Sequence, residues 1–310
     1  MELAVTFRTE LPGRYPCGCS GSPQKVSDEC AEPAVEVYSR WMAKPEEVLA
    51  RLAADLAAAL DDQLLSVALH GSWALGDFTP GRSDLDLLAV MSTDPTPATL
   101  AALHEVHARL GANFPEWGDG QVEVEYVSFE AIRAVVRGWD ESHPMISVGK
   151  GEPLHVLEAS RHSVLNWAAA LQADQAIAGA APSTVLPDID QRLIHQVVLQ
   201  HVRGWPEWVD EMQHAGGQAY AVLTLCRAAE ALETGRQVSK LAAAEVGSWR
   251  FPEWSALIDW ARVWWYQGGS DSDDGRFEEV RRFVVDVSAR MLKRYDLLPR
   301  SGRDPAEPTF

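Results

Sequence analysis

The sequence contains no run of about 18 apolar residues, so nothing in it reads as a membrane-spanning helix, and its N-terminus lacks the basic-then-apolar plan of a secretory signal. Cysteine is scarce. Four in 310 residues (Cys17, Cys19, Cys30 and Cys226) are too few for a disulfide framework and point to a reducing cytoplasm. Cys17, Cys19 and Cys30 share a segment without histidine, short of the four spaced ligands of a structural zinc site. Basic residues are also short: 27 Lys and Arg stand against 45 Asp and Glu, a formal net charge of −18. Such a surface repels the phosphate backbone that supplies most nucleic-acid affinity, which argues against nucleic acid as a partner. What is abundant is apolar residue, at 46% of the chain, enough to bury a sizeable core in one large or two modest domains.

Residues 1–41 carry Pro, Gly, Ser and scattered charge without lasting periodicity and read as a disordered arm; Met42, directly before a helical pattern, is a second candidate start. From Pro45, Val48, Leu49, Leu52, Leu56 and Leu60 recur at helical spacing up to Asp61-Asp62. Residues 64–69 and 84–90 read as buried strands, and 122–127 as a third in which apolar and acidic residues alternate. Helical stretches near 97–110 and 129–138 complete an α/β domain over residues 42–186, a mixed sheet flanked by helices. Residues 157–186 are ambiguous, with a helix at 164–171 and a loop at Gly179-Ala180-Ala181-Pro182.

Beyond Leu186 no strand signal returns, and amphipathic stretches near 188–204, 218–234, 240–248, 253–266 and 276–295 predict an all-α C-terminal bundle over 187–298. Residues 299–310 read as a disordered tail. Trp249, Trp254, Trp260, Trp264 and Trp265 lie at helical spacings and are expected to pack between helices. His143, His155 and His162 are spaced like no helical metal motif and are read as structural.

The chemistry concentrates between Leu69 and Leu88. Gly71-Ser72 closes the first strand and opens a helix, so backbone amides and the Ser72 hydroxyl can meet a phosphate with no side chain in the way. Asp84 and Asp86, two apart on a strand, share a face, and paired carboxylates are costly unless a cation joins them. Magnesium, which favours hard oxygen ligands and bridges to phosphates, is the natural one. A third carboxylate is expected from the neighbouring strand, where Glu123 and Glu125 also share a face, and either could reach the pair. Three carboxylates around one or two metals are the apparatus of nucleotidyl transfer.

At these residues the chain resembles the polymerase-beta-like nucleotidyltransferases, through Gly71-Ser72 followed by Asp84-x-Asp86. A second stretch, Val222-Leu223-Thr224-Leu225-Cys226-Arg227, then Leu232-Glu233-Thr234-Gly235 and Ser239-Lys240, resembles the C-terminal domain of the streptomycin/spectinomycin aminoglycoside adenylyltransferases. Together the resemblance spans about residues 45–295. It implies an α/β nucleotidyltransferase domain followed by a helical domain, with the active site across the cleft between them. By that resemblance Gly71, Ser72 and Ser83 contact nucleotide phosphates, Asp84 and Asp86 hold magnesium, and Glu123 is the general base. Arg227 and Lys240 close on the triphosphate, and Tyr266 sets its ring against the adenine. Departures fall in Gly204 to Gln213, where the family contacts its antibiotic. Trp208 is a candidate stacking wall there and Asp210 or Glu211 a candidate partner for a cation, while Gln213 and Gly217 stand where acidic residues are expected.

The expectation is a cytoplasmic, monomeric, magnesium-dependent enzyme that transfers AMP from ATP to a hydroxyl of a cationic amino-sugar antibiotic. The alternatives are an adenylyltransferase with another small-molecule or macromolecular acceptor, or a catalytically silent nucleotide-binding protein. The charge distribution favours a cationic acceptor: residues 42–155 hold 18 acidic against 7 basic side chains, a net of −11, whereas residues 156–310 hold 21 against 16.

Overall fold

The computed structural model describes residues 43–118, 120–273 and 275–296; the N-terminal arm with Cys17, Cys19, Cys30 and Met42, and the tail from residue 299, lie outside the described residues. In chain order the elements are α1 (Pro45–Leu60), β1 (Leu64–His70), α2 (Gly71–Ala74), β2 (Leu85–Met91), α3 (Pro97–Asn113), β3 (Val122–Ser128), α4 (Phe129–Arg137), β4 (Pro144–Gly149), β5 (Glu152–Glu158), α5 (Val164–Ala173), β6 (Ala176–Gly179) and α6 (Pro182–Val185). They continue as α7 (Gln191–Trp208), α8 (Ala215–Thr234), α9 (Lys240–Arg250), α10 (Ser255–Tyr266) and α11 (Phe277–Asp296). The chain divides into two compact units. One takes the described residues through Trp73, Phe78–Ala159 and Asp174–Leu186; the other takes Ala74–Asp77, Ser160–Ala173 and the described residues from Pro187 onward.

The first unit is built on a six-stranded sheet in the order β5-β4-β3-β2-β1-β6, with β2 and β3 parallel and every other pair antiparallel. The parallel pair needs a crossover, and α3 supplies it. Its start is set by Pro97 in the first turn and a reciprocal cap between Thr96 and Thr99. Both central strands are mostly apolar and buried, and the exception in β2 is Asp86, which is half-buried. In β3 the half-buried residues are Glu123 and Glu125, which gives the alternation seen in the sequence. α1 covers the sheet with Leu52 and Leu56, both fully buried, and ends at Asp61, whose φ of 47° stops the helix.

Three strands were not legible in advance. β4 and β5 form a hairpin at one edge, where β5 carries Glu152, Pro153 and Glu158 and exposes Val156, a composition that reads as loop. β6 is four residues long, Ala176–Gly179, too short to show an alternation. It takes the place of part of the expected loop because Ser66 and Val67 of β1 offer it a partner.

The second unit is helical, and among the described residues no strand lies beyond Leu186. α8 runs through its core, with Ala219, Ala221, Val222, Leu223 and Leu225 fully buried, and it stops at Gly235, which takes the left-handed conformation at φ 69°. Val202, Ile258, Phe283, Val284 and Val287 from the surrounding helices close on it. Trp264 is buried and Trp254, Trp260 and Trp265 pack against this core, but Trp249 is 83% exposed and corrects the expectation of packing. The buried face of α9 is Ala243, Ala244 and Gly247; two residues on from Gly247 is about 200° around the helix, which turns Trp249 outward. No described helix is long and apolar enough to cross a membrane.

Candidate active site

β1 ends at His70, opposite Asp86 in the antiparallel register, and the chain then turns at Gly71 with φ 63°. That turn admits only glycine, since a Cβ here would lie 1.8 Å from Asp86 Oδ2 as well as in a strained conformation. The backbone therefore passes directly over a carboxylate. Ser72, the next residue, has a buried hydroxyl oxygen with no hydrogen-bond partner, an unsatisfied group that a ligand oxygen would satisfy.

Asp84 lies immediately before β2 and, two residues from Asp86, shares its face. In the parallel register Asp86 stands directly beside Glu123. Asp84, Asp86 and Glu123 each bring one carboxylate oxygen within 4.8 Å of the others, and all three are half-buried. Glu125 lies one pleat further along, between Leu88 and Ser147, outside this group. The register thus chooses between the two glutamates that the sequence left open.

Like charges at that separation repel by roughly 3 kcal/mol per pair at the effective dielectric of a partly buried site. Burial first, and then the charges of Asp84 and Asp86, raise Glu123 to about 8, against the opposing pull of the Lys150 main-chain amide, 3.1 Å from Oε1, and of the Lys150 ammonium. Two carboxylates with a protonated third make a poor resting state and a good seat for a hard divalent cation. The orphaned Ser72 hydroxyl and the side-chain-free approach at Gly71 fit a phosphate beside that cation.

Ser83 is buried, and its hydroxyl oxygen accepts the Thr79 amide at 3.0 Å while the amides of Arg82 and Ser83 bond to the Thr79 carbonyl. It closes the turn that delivers Asp84 into the sheet, and its own proton remains available to donate.

In the helical unit, Arg227 on α8 donates from Nε to the Val238 carbonyl at 3.0 Å and from Nη2 to Gln237 Oε1 at 3.4 Å. Gln237 is itself held by Gln172 through a pair of bonds of 2.8 and 2.9 Å, so the α8–α9 loop is fastened from both sides. Lys240 opens α9 behind the Ser239 cap, whose hydroxyl accepts the Ala242 amide, and its Nζ lies 4.3 Å from the centre of the Trp265 ring and 5.5 Å from that of Tyr220. Aromatic faces thus hold a cation that the helix N-terminus disfavours. Tyr266 donates its hydroxyl to Asp77 Oδ2 at 2.6 Å, and the same oxygen receives the Leu241 amide at 3.5 Å. Burial, then the Asp77 carboxylate, push the Tyr266 hydroxyl well above its ordinary value, and it stays protonated as a donor. Asp77, the Lys150 amide and the rings around Lys240 were not identified from sequence, since their partners lie far away in the chain.

Trp208 folds over Gly204, where a Cβ would come 2.4 Å from its ring, and packs edge-on against His201 and Trp205. Asp210 pairs with Arg281 at 2.8 Å. Of the three histidines, His143 bonds to Asp94, His155 to the Pro153 carbonyl, and His162 stacks on His201. Cys226 is buried against the helical core, which pushes its thiol up to about 12 and leaves it inert.

Two family models match the chain: the nucleotidyltransferase domain over residues 54–137, and the aminoglycoside adenylyltransferase C-terminal domain over residues 184–290. The first span contains Gly71, Ser72, Ser83, Asp84, Asp86 and Glu123, and the second contains Arg227, Lys240 and Tyr266. Among solved structures, spectinomycin adenyltransferase AAD(9) from Enterococcus faecialis, determined with ATP and spectinomycin, matches with a TM-score of 0.63 and 18% identity, over 80% of this chain and 99% of that one. At that identity the likeness is one of fold. No curated protein sequence matches. With these two domains following one another on a single chain, the protein is a nucleotidyltransferase that carries the C-terminal domain of the aminoglycoside adenylyltransferase family.

Proposed function

We propose that the protein is a magnesium-dependent adenylyltransferase that moves AMP from ATP to a hydroxyl of a cationic aminoglycoside or aminocyclitol, of the streptomycin or spectinomycin type, giving resistance to it. The observation that carries this reading is the cluster of Asp84, Asp86 and Glu123 beside the Gly71 turn and the unpartnered Ser72 hydroxyl. Glu123 takes the proton of the acceptor hydroxyl. The freed electron pair forms the bond to the α-phosphorus as the bond from that phosphorus to the bridging oxygen breaks, and pyrophosphate leaves with its pair. Asp84 and Asp86 hold magnesium, which when bound neutralises phosphate charge next to the carboxylates. The Gly71 amide and the hydroxyls of Ser72 and Ser83 hold phosphate oxygens. Arg227 and Lys240 offset the charge that builds on pyrophosphate, and the Tyr266 ring lies against the adenine. The protein acts as a monomer in the cytoplasm, beside its ATP.

An amine-bearing acceptor is favoured by the net charge of −11 over residues 42–155, and the fold likeness to an enzyme solved with spectinomycin agrees with it. A different small-molecule acceptor is the second reading. It is favoured by Asp210, whose carboxylate is engaged by Arg281, and by Gln213 and Gly217 standing where acidic partners are expected.

Pyrophosphate release from Mg2+-ATP, screened over a panel of aminoglycosides, tests both. Release with at least one member of the panel is expected, and none without an acceptor or with chelator present. Glu123→Gln lowers turnover by about 10²- to 10⁴-fold while ATP binding by calorimetry is unchanged. Undiminished turnover in that variant rules out Glu123 as the base, and silence across the panel rules out the acceptor class.

A further inference from the structure

The tip of the β4–β5 hairpin reaches Glu123 with a main-chain group. The Lys150 amide donates to Glu123 Oε1 at 3.1 Å, and among the described residues it is the one hydrogen bond that the Glu123 side chain makes. Glycines make the approach possible. Gly120, just before β3, has φ 80°, and a Cβ there would fall 2.3 Å from Lys150 Cα and 2.5 Å from the Gly149 carbonyl oxygen. Gly149 runs alongside Glu123, where a Cβ would lie 3.6 Å from Oε1, and Gly151 at φ 75° completes the turn. The loop before β3 therefore packs flush against the hairpin tip, and the tip is seated on the first carboxylate of β3. The Lys150 side chain is exposed, so its ammonium is not what holds the turn in place.

We propose that Lys150 is a positioning residue for the transfer: its main-chain N–H, seated by Gly120, fixes the carboxylate of Glu123 through Oε1 and leaves Oε2 to face the acceptor hydroxyl. The inference rests on Glu123 being the base. A glutamate has three side-chain torsions, and a base that must meet a hydroxyl in line with the α-phosphorus works only in a narrow range of them. A main-chain donor on a glycine-locked turn holds that range more rigidly than a long side chain. The role belongs to the backbone, so the side chain at 150 is replaceable.

The test replaces the amide alone. Incorporating the α-hydroxy analogue of lysine at position 150 changes N–H to O and keeps the side chain, while Lys150→Ala keeps the amide and removes the charge. With streptomycin and spectinomycin as acceptor probes, the ester protein loses about 10- to 100-fold in kcat, with KM for ATP and Tm unchanged, and Lys150→Ala loses clearly less. Independently of any acceptor, the Lys150 amide in the metal-free protein is protected from hydrogen exchange. The protection persists in Glu123→Gln, which keeps the accepting oxygen, and is lost in Glu123→Ala. An unprotected Lys150 amide in the wild type overturns the inference, as does equal loss of kcat in the ester protein and Lys150→Ala, or a fall in kcat that tracks Tm. Unchanged kcat in the ester protein beside an inactive Glu123→Gln overturns the positioning role and leaves the base standing; an active Glu123→Gln removes both.

Discussion

Glu123 carries a conflict of charge that a divalent cation would resolve. Without metal its carboxyl is raised from 4.5 to about 8 by burial and by Asp84 and Asp86, so between those values the folded chain holds a proton that the unfolded chain has released. The folded state is therefore favoured less as pH rises through that window. A bound divalent cation removes the repulsion and displaces the proton. In EDTA, Tm should fall between about pH 5 and pH 8 by this contribution, while Mg2+ should raise Tm, and do so more at pH 8 than at pH 6. Scanning calorimetry across that range checks it, and a Tm indifferent to Mg2+ at every pH would count against a metal seat. At this scale Asp84 and Asp86 were legible because a strand places alternate residues on one face. That Glu123 rather than Glu125 completes the group was implied by the family resemblance and not by spacing, because it depends on which residue of β3 stands beside Asp86.

At the scale of elements, strands and helices were legible in proportion to how fully each is buried on a regular face. β1, β2 and β3 lie in the middle of the sheet and announce themselves by apolar residues, whereas β4, β5 and β6 owe their existence to partners elsewhere in the chain. The helices of the second unit follow the same rule from the other side. α11 turns Val280, Phe283, Val284 and Val287 inward, and α9 turns Trp249 outward although its composition invites burial. Phe283→Ala should cost about 3–5 kcal/mol, since it empties a fully buried site, and Trp249→Ala should stay within about 0.5 kcal/mol. Urea unfolding monitored by circular dichroism separates the two. Equal effects would count against the difference in packing between the two positions.

For the whole molecule, the charge of −18 is spread unevenly, and its concentration over residues 42–155 bears on what approaches the carboxylate site. Exposed charges act over about 10 Å at 0.1 M salt and about 3 Å at 1 M. Steering of a polycationic acceptor should accordingly weaken as salt rises, so KM for the acceptor increases several-fold between low and high ionic strength while kcat changes little. Steady-state kinetics in a salt series checks this, and a salt-independent KM would remove the electrostatic argument for a cationic acceptor.

The sequence by itself determined the faces of the regular elements and the local motifs, because period-2 and period-3.6 patterns are written within a few neighbouring residues. It determined that Gly71 must be a turn and that Asp84 and Asp86 point together. Only the tertiary structure decided that a main-chain amide from residue 150 holds Glu123, that Tyr266 reaches back 189 residues to Asp77, and that Trp265 and Tyr220 shelter Lys240. Those choices depend on strand register and helix packing, which are settled by the collective fit of residues distant in the chain rather than by the spacing of any one segment.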